Sequence, residues 1–213
     1  MSSSLAVLLV HGLWRTPLSL LSLRGRLKSW GYRPELFAYA AVAQGYERIV
    51  ERLARRLERL AANERRYAVV GHSLGGILLR SAIPRIQGRL PEHLVMLGTP
   101  NRLPRIAHRL GSHWLYHRLM GESGTNLARE DFYAALPVPE IPYTIVAGTR
   151  GLPGDWGHFD GEANDGIVAV SETRIRDDDA VVQLPVTHTF MMNNGELQAV
   201  IGRTLAAARG ATV

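Results

Sequence analysis

The chain has 213 residues, a hydrophobic content of 46% and a formal net charge of +6. This length suits a single domain spanning residues 1–213, and the apolar content is enough to fill one substantial core. Cysteine is absent, which excludes disulfides, zinc thiolate sites and a cysteine nucleophile. A cytoplasmic location is the default expectation.

The basic residues are concentrated in the first half of the chain. Residues 1–110 hold 18 of the 25 basic residues and 6 of the 19 acidic ones, and a surface this basic can bind nucleic acid or anionic lipid. The arginines lie among glutamates on helical faces and lack interleaved aromatic residues, so we expect no nucleic-acid partner. A basic surface binder stays as one alternative to an enzyme.

The apolar segments are too short to span a membrane. Charged residues interrupt every run before the roughly 18 apolar residues that a spanning helix needs. The run at residues 5–10 is not preceded by Lys or Arg and is followed by His11-Gly12, which favours a buried strand over a signal peptide. We therefore expect no integral membrane segment.

Apolar runs and helical periodicities alternate along the chain. Strands are predicted at residues 5–10, 34–39, 67–70, 93–97, 143–147 and 180–184, with a short extended segment at 167–170. Helices are predicted at residues 18–30, 46–62, 77–83 and 196–207. This alternation predicts an α/β fold with a doubly wound, mostly parallel sheet and helices on both faces.

Residues 101–140 have no strand pattern and are predicted to form a short helical excursion. Within it, apolar residues recur at helical spacing. Residues 101–120 are either a small cap or lid over the site, or an ordinary helix docked on the sheet.

One stretch has a specific catalytic pattern. The β-prone run 67–70 breaks into Gly71-His72-Ser73-Leu74-Gly75 and continues as a helix-compatible segment. This pattern is typical of a nucleophile elbow, in which a sharp strand-to-helix turn exposes a serine hydroxyl and needs small flanking residues. The following helix directs its N-terminal amides toward developing negative charge. Ser73 is therefore the predicted nucleophile, and His72 is expected to structure the turn.

Four short sequence motifs, taken in chain order, resemble those of the α/β-hydrolase family and, within it, of the small bacterial lipase and esterase branch. They are His11-Gly12 after the first strand, Gly71-His72-Ser73-Leu74-Gly75, Asn164-Asp165-Gly166-Ile167-Val168, and Thr187-His188 after the last strand. The order serine, aspartate, histidine, each at the carboxyl end of a strand, is similar to the family's arrangement. The resemblance covers most of the chain and implies the compact α/β-hydrolase fold.

A serine hydroxyl is a weak nucleophile at neutral pH and needs a base. His188 is the predicted base because it follows the last strand, where a loop can bring its imidazole over Ser73. A carboxylate must then orient the imidazole and stabilise its cationic form. Position alone does not decide among the carboxylates of the preceding loop. The resemblance favours Asp165, with Asp160 as the runner-up and a solvated loop carboxylate as the alternative to a catalytic role.

The resemblance also implies an oxyanion hole made of two backbone amides. One belongs to Leu74, which follows the nucleophile, and the other to Leu13, which follows His11-Gly12. Only the amides matter, so apolar side chains are no obstacle there; the alternative is that both leucines are ordinary core residues. No cofactor is required, and the acidic loop has no defined oxygen-ligand spacing, so no metal is predicted.

These residues together predict a serine hydrolase that cleaves carboxylic esters of small-molecule or lipid substrates through an acyl-enzyme intermediate. Thioesterase, amidase and acyltransferase reactions use the same machinery. A catalytically silent binding module with this fold is the non-enzymatic alternative. Neither the acyl chain length nor the oligomeric state follows from the sequence.

Overall fold

One parallel sheet organises the part of the chain that the computed structural model describes, residues 4–41, 43–64, 66–105, 126, 128–151 and 159–210. Its strands are β1 (Ala6–Val10), β2 (Arg33–Phe37), β3 (Tyr67–His72), β4 (Leu94–Leu97), β5 (Tyr143–Gly148) and β6 (Val181–Leu184). Their order is β2-β1-β3-β4-β5-β6, and every adjacent pair is parallel. The predicted doubly wound parallel sheet is therefore confirmed.

The central strands are apolar throughout because both faces of the sheet are covered. Every residue of β1, β3 and β4 is buried, as expected for parallel strands between two helical layers. Successive side chains alternate between the faces, so Leu8 of β1 joins one core and Leu9 the other.

Helices cover both faces of the sheet. In the described part of the chain the α-helices are α1 (Leu21–Ser29), α2 (Tyr46–Asn63), α3 (Leu74–Ala82), α4 (Glu130–Ala134) and α5 (Gly195–Gly210). Apolar residues of α2 and α3 pack into one core, and those of α1 and α5 pack into the other. None of the helices in these ranges is long and apolar enough to cross a membrane.

The helix α2 follows the amphipathic pattern of its sequence. Its buried stripe is spaced at helical intervals and contains Ile49, Val50, Leu53, Leu57 and Leu60. Charged residues of the segment lie on the faces turned away from the core. This stripe fixes α2 against the sheet next to α3.

Two elements differ from their predictions. The helix predicted at 18–30 begins as a 3-10 turn, Pro17–Leu20, before α1. The segment predicted to be extended at 167–170 is not a strand. Its pairing is limited to one antiparallel bridge, between Asn164 and Ala169. The amides of Ile167 and Val168 donate to the Asp165 side chain, so they are not available to pair with another strand.

The predicted excursion lies largely outside the described residues. Its described part contains α4, Glu130–Ala134, whereas residues 106–125 and 127 are not described. The interpretation of residues 101–120 as a cap or lid therefore stays a prediction.

The carboxyl ends of the strands bring several loops to one edge of the sheet. Directly beyond β1, β3 and β4 lie His11, Ser73 and Gly98. The loops after β5 and β6 contain Asp165 and His188. Ligands of open α/β sheets bind at this edge.

Candidate active site

Ser73 forms the sharp turn between β3 and α3. Its backbone has φ 53° and ψ −123°, a conformation that costs a non-glycine residue free energy. The turn is held because the Ser73 amide donates a 2.8 Å hydrogen bond to the carbonyl of Leu97 in β4. Ser73 is partly exposed, so its hydroxyl is accessible at the edge of the sheet.

The glycines on either side of Ser73 are required by close backbone packing. A Cβ at Gly71 would lie 2.5 Å from the amide nitrogen of Gly76, and a Cβ at Gly75 would lie 2.6 Å from the carbonyl oxygen of His11. Both distances are shorter than van der Waals contact allows. The sharp turn therefore packs α3 against the end of β1. A side chain at Gly75 would force these two apart, and one at Gly71 would collide with the start of α3.

His188 and Asp165 form a buried pair. Nδ1 of His188 lies 2.7 Å from Oδ2 of Asp165, and both residues are at most 6% exposed. The other carboxylate oxygen accepts hydrogen bonds from the amides of Ile167 and Val168, at 3.0 and 2.8 Å. A carboxylate oxygen accepts, so Nδ1 of His188 donates this hydrogen bond, and Nε2 is the ring nitrogen that it leaves uncommitted.

Asp160, the runner-up carboxylate, lies elsewhere. Its side chain is 77% exposed, and its carboxylate is 3.8 Å from the guanidinium of Arg105. The structure therefore brings Asp165 rather than Asp160 to His188.

His72 connects the elbow to the loop that carries His188. Its Nε2 lies 3.0 Å from the carbonyl oxygen of His188, and the two rings are 5.0 Å apart between centroids. Burial holds the pKa of His72 well below its usual value, and the nearby His188 imidazole lowers it further. His72 is therefore neutral, and its Nε2–H donates to the carbonyl.

Ser73 and His188 are not joined directly. Among the described residues, no hydrogen bond connects the Ser73 hydroxyl to the His188 imidazole, and the link between the two runs through His72. Hydrogen bonds to a nucleophile are often long in unliganded enzymes and shorten when substrate binds. Asp165 and His188 are thus in hydrogen-bonded contact, and Ser73 is the chain neighbour of His72, which donates to the His188 carbonyl.

The loop after β1 packs directly on the elbow. A Cβ at Gly12 would lie 3.0 Å from both Cβ of Ser73 and Nδ1 of His72. Leu13 follows and is partly buried against the core that contains α2 and α3. Leu74 is the first residue of α3, so its amide belongs to the helical turn whose N–H groups have no intrahelical acceptor.

His11 stabilises this first loop. Its Nδ1–H donates to the carbonyl of Gly12 at 2.9 Å, and its ring stacks on Tyr39 with centroids 4.1 Å apart. The hydroxyl of Tyr39 donates in turn to the His11 carbonyl at 2.6 Å. Burial lowers the pKa of His11, so this histidine is a neutral structural residue.

A family model described as "Alpha/beta hydrolase family" matches residues 7–212, nearly the whole chain. The chain belongs to the alpha/beta hydrolase family. Its six-stranded parallel sheet, covered by helices on both faces, agrees with that assignment. None of the curated proteins compared matches the sequence.

Solved structures of bacterial proteins share the fold of this α/β-hydrolase. The mature form of a Bacillus licheniformis lipase has a TM-score of 0.72 at 19% identity, covering 96% of this chain and 93% of the lipase. A lipase-esterase related protein from Clostridium acetobutylicum has a TM-score of 0.66 at 11% identity, covering 97% and 96%. The thioesterase of the prodiginine biosynthetic pathway in Streptomyces coelicolor has a TM-score of 0.60 at 17% identity, covering 97% and 91%. At these identities the likeness shows the fold alone.

An ion-pair cluster, which the sequence did not reveal, supports the Asp165 loop of this α/β-hydrolase. The guanidinium of Arg105 donates to Glu162 at 2.6 Å and to the carbonyl of Phe159 at 2.9 Å. Its Nε lies 3.5 Å from a carboxylate oxygen of Glu172. Arg105 and Glu172 are 67 residues apart, so no local pattern could have paired them.

Glu172 is the buried member of this cluster. It accepts hydrogen bonds from the amides of Arg105 and Ala169, at 2.9 and 2.8 Å. Burial nevertheless raises its pKa. Glu162 accepts a hydrogen bond from the amide of Ser171 at 2.7 Å, so carboxylates on both sides of Asp165 bind backbone amides. No group of three or more His, Asp or Glu side chains in the described ranges is arranged to hold a metal ion.

Exposed apolar side chains lie on the segment that follows β1 and on the segment that carries His188. Trp14 is 56% exposed, Leu18 70% and Phe190 62%. Arg15 connects the segment after β1 to the segment that carries His188. Its guanidinium lies 5.7 Å from the centre of the Phe190 ring and donates to the carbonyl of Thr189 at 3.0 Å. Where large exposed apolar groups form a contiguous patch, they are typical of binding surfaces.

Proposed function

We propose that this α/β-hydrolase is a serine hydrolase that cleaves carboxylic esters, with Ser73 as the nucleophile, His188 as the base and Asp165 as the orienting carboxylate. The observation that carries the proposal is the buried 2.7 Å contact between Nδ1 of His188 and Oδ2 of Asp165. This contact lies at the same edge of the sheet as the strained Ser73 turn. A neutral imidazole with Nδ1 protonated has its basic nitrogen, Nε2, available.

In the first half of the proposed reaction, Oγ of Ser73 attacks the ester carbonyl carbon while Nε2 of His188 takes the hydroxyl proton. The carbonyl oxygen becomes an oxyanion, which the amides of Leu13 and Leu74 stabilise. The carbon–oxygen bond to the alcohol then breaks, and Nε2 of His188 gives its proton to the leaving oxygen. The products are a free alcohol and an acyl group on Ser73.

The second half repeats these steps with water. Nε2 of His188 takes a proton from water as the hydroxide oxygen attacks the acyl carbon. The bond to Ser73 breaks, the serine oxygen regains the proton, and the carboxylic acid leaves. Throughout, Asp165 stays ionised and stabilises the imidazolium that forms on His188.

Exposed apolar side chains on the two segments that follow His11-Gly12 and His188 support a substrate with an apolar acyl chain. Trp14, Leu18 and Phe190 expose hydrocarbon on these segments, and burial of such surface by a ligand is favourable by about 25 cal/mol per Å². We therefore propose a small-molecule ester or lipid as the substrate.

Hydrolysis of p-nitrophenyl esters of increasing chain length tests the proposal. We expect measurable turnover by the wild-type protein and a loss of about a thousandfold or more in Ser73→Ala. Ser29→Ala is the matched control, because this exposed hydroxyl only donates to the carbonyl of Arg26. Undiminished turnover in Ser73→Ala would overturn the proposal.

A series of leaving groups separates the related reactions. Thioester and amide analogues of the best ester measure thioesterase and amidase activity, and an added alcohol measures acyl transfer, since all three use the same acyl-enzyme. Turnover of none of these acyl donors would favour the catalytically silent binding module instead.

A further inference from the structure

The nucleophile elbow and the base loop share one direct hydrogen bond, between His72 and the main chain of His188. Nε2 of His72 lies 3.0 Å from the carbonyl oxygen of His188. A carbonyl oxygen only accepts, so the imidazole donates and its Nε2 carries the proton. The bond joins two segments 116 residues apart in the chain.

We propose that His72 is a positioning residue, which fixes the main chain of His188 relative to Ser73 by donating this hydrogen bond. The proposal rests on the proposed function of His188 as the base. His72 does not touch the reacting atoms in this account, and it acts through His188.

The other hydrogen bonds of His188 cannot supply this positioning. Its amide donates to the carbonyl of Asp165 at 2.9 Å, and its Nδ1 donates to the Asp165 carboxylate at 2.7 Å. Both bonds fix His188 relative to the acid loop. Within the described residues, the bond from His72 is the hydrogen bond that fixes His188 relative to the elbow, because His72 is the neighbour of Ser73 in the chain.

The opposite edge of the His72 ring faces Gly12. Its Nδ1 is buried without a hydrogen-bond partner among the described residues, a Cβ at Gly12 would approach it to 3.0 Å, and the residue is 2% exposed. His72 therefore lies between the loop that carries Leu13 and the loop that carries His188. Because the ring is buried between the two loops, a displacement of the ring requires one of them to shift.

Loss of this bond should affect the reaction more than substrate binding. An error of about 1 Å in the position of a catalytic group can lower a rate by about a hundredfold. Because His72 does not face the acyl group in this account, KM should change little while kcat falls. Loss of packing alone would instead lower stability and leave the kcat of the folded protein unchanged.

Two isosteric substitutions separate the hydrogen bond from the packing. His72→Gln places an amide nitrogen near the position of the imidazole Nε2, whereas His72→Met has nearly the same size and shape without a donor. We expect kcat for a p-nitrophenyl ester to fall about 10- to 100-fold in His72→Met, with KM within about threefold of wild type. In His72→Gln, kcat should stay within about threefold of wild type.

His72→Asn covers the case in which His72→Met does not fold. Its amide nitrogen lies near the position of Nδ1, too far back to reach the His188 carbonyl, so it should behave like the methionine variant. Thermal unfolding of each variant shows that the kinetic comparison uses folded protein.

A measurement that needs no turnover separates failure of this inference from failure of the proposed function. The proton shared between Nδ1 of His188 and Asp165 should give a downfield imidazole resonance in proton NMR. We expect it in the wild type and in His72→Gln, and we expect it to broaden or disappear in His72→Met. Ser73→Ala should keep the resonance while losing ester hydrolysis.

Equal losses in the glutamine and methionine variants would show that the ring, and not its donor, matters. Wild-type kcat and an unchanged downfield resonance in folded His72→Met would likewise overturn the inference. If the wild-type protein hydrolyses no ester, the proposed function fails, and the NMR comparison alone decides whether His72 positions His188.

Discussion

His188 is bound to Asp165 twice, once through its ring and once through its main chain. Nδ1 lies 2.7 Å from Oδ2, and the His188 amide donates to the Asp165 carbonyl at 2.9 Å. Two bonds to one partner define both the place and the rotation of the imidazole. The carboxylate oxygen that does not face His188 accepts hydrogen bonds from the amides of Ile167 and Val168, so both oxygens of Asp165 have hydrogen-bond donors.

Asp165→Asn should abolish most of the activity without unfolding the protein. The neutral amide cannot stabilise an imidazolium on His188. Its NH2 group can also donate to Nδ1, which favours the tautomer that carries its proton on Nε2 and so cannot act as the base. We expect kcat for an ester to fall about 10³- to 10⁴-fold.

Asp160→Asn is the matched control in the same loop. Its carboxylate is exposed and lies 3.8 Å from Arg105, and asparagine tolerates the positive φ of 51° found there. We expect kcat within about twofold of wild type. A larger loss in Asp160→Asn than in Asp165→Asn would show that the wrong carboxylate has been assigned.

Gly75→Ala should damage the elbow itself. The new methyl group would lie 2.6 Å from the carbonyl oxygen of His11, which forces α3 away from β1. We expect a loss of about 1–3 kcal/mol in the free energy of unfolding, measured by chemical denaturation, together with lower esterase activity.

Gly25→Ala gives the control for this substitution. Nothing lies within 4 Å of a Cβ at Gly25, which is inside α1, so alanine should stabilise the helix by about 0.5–1 kcal/mol. Equal effects of the two alanines would contradict the close packing at the elbow.

Arg105→Met should loosen the loop that holds Asp165. The substitution leaves Glu172, which is 4% exposed, without its cationic neighbour and removes the donor to Glu162. Arg105 is about one-third exposed, so solvent moderates the cost, and we expect a loss of about 1–3 kcal/mol in unfolding free energy.

Arg102→Met is the comparison for a surface ion pair. Arg102 pairs with Asp177, whose side chain is 95% exposed, so its loss should change the unfolding free energy by less than about 1 kcal/mol. If chemical denaturation gives the same result for both variants, the Arg105 cluster does not support the loop.

Acid should destabilise the protein below about pH 6.5, the usual pKa of histidine. Burial lowers the pKa values of His11, His72 and His93, so these residues bind protons in the unfolded chain before they do so in the folded one. Stability is therefore present above this pH and falls as the pH drops. Each extra proton taken up on unfolding adds about 1.4 kcal/mol per pH unit to the slope.

Denaturation between pH 7.5 and 5.5 measures this slope. The range avoids more acidic conditions, where Glu172, whose pKa is raised by burial, acts in the opposite direction. Of these three histidines, His93 lies outside the candidate site. His93→Gln removes its contribution and should make the slope of stability against pH shallower. A stability that is constant over this range would contradict the neutral state of the buried histidines.

Local patterns were enough to predict the sheet, and non-local contacts were not visible in them. The run 67–70, the glycines of the elbow and the stripe on α2 each express a preference of a few neighbouring residues, and the structure forms them. The prediction of an extended segment at 167–170 was wrong. Its apolar residues favour a strand, whereas the amides of Ile167 and Val168 donate to the Asp165 side chain.

The contacts around His188 illustrate the same limit at the candidate site. Asp160 and Asp165 are five positions apart in one acidic loop, and their difference in burial depends on how that loop folds over β5 and β6. The bond from His72 to the His188 carbonyl spans 116 residues and involves a main-chain oxygen, which no side-chain pattern reports. The catalytic roles, the cytoplasmic location and the lid stay predictions.

The most direct test of Ser73 as the nucleophile is labelling of the folded protein with a fluorophosphonate, followed by mass spectrometry of its peptides. A serine activated by a neighbouring base reacts covalently, whereas ordinary serines do not. We expect one adduct, on Ser73, that is absent from Ser73→Ala and formed far more slowly in Asp165→Asn. Labelling of a different residue, or no labelling of the folded wild-type protein, would contradict the assignment of Ser73.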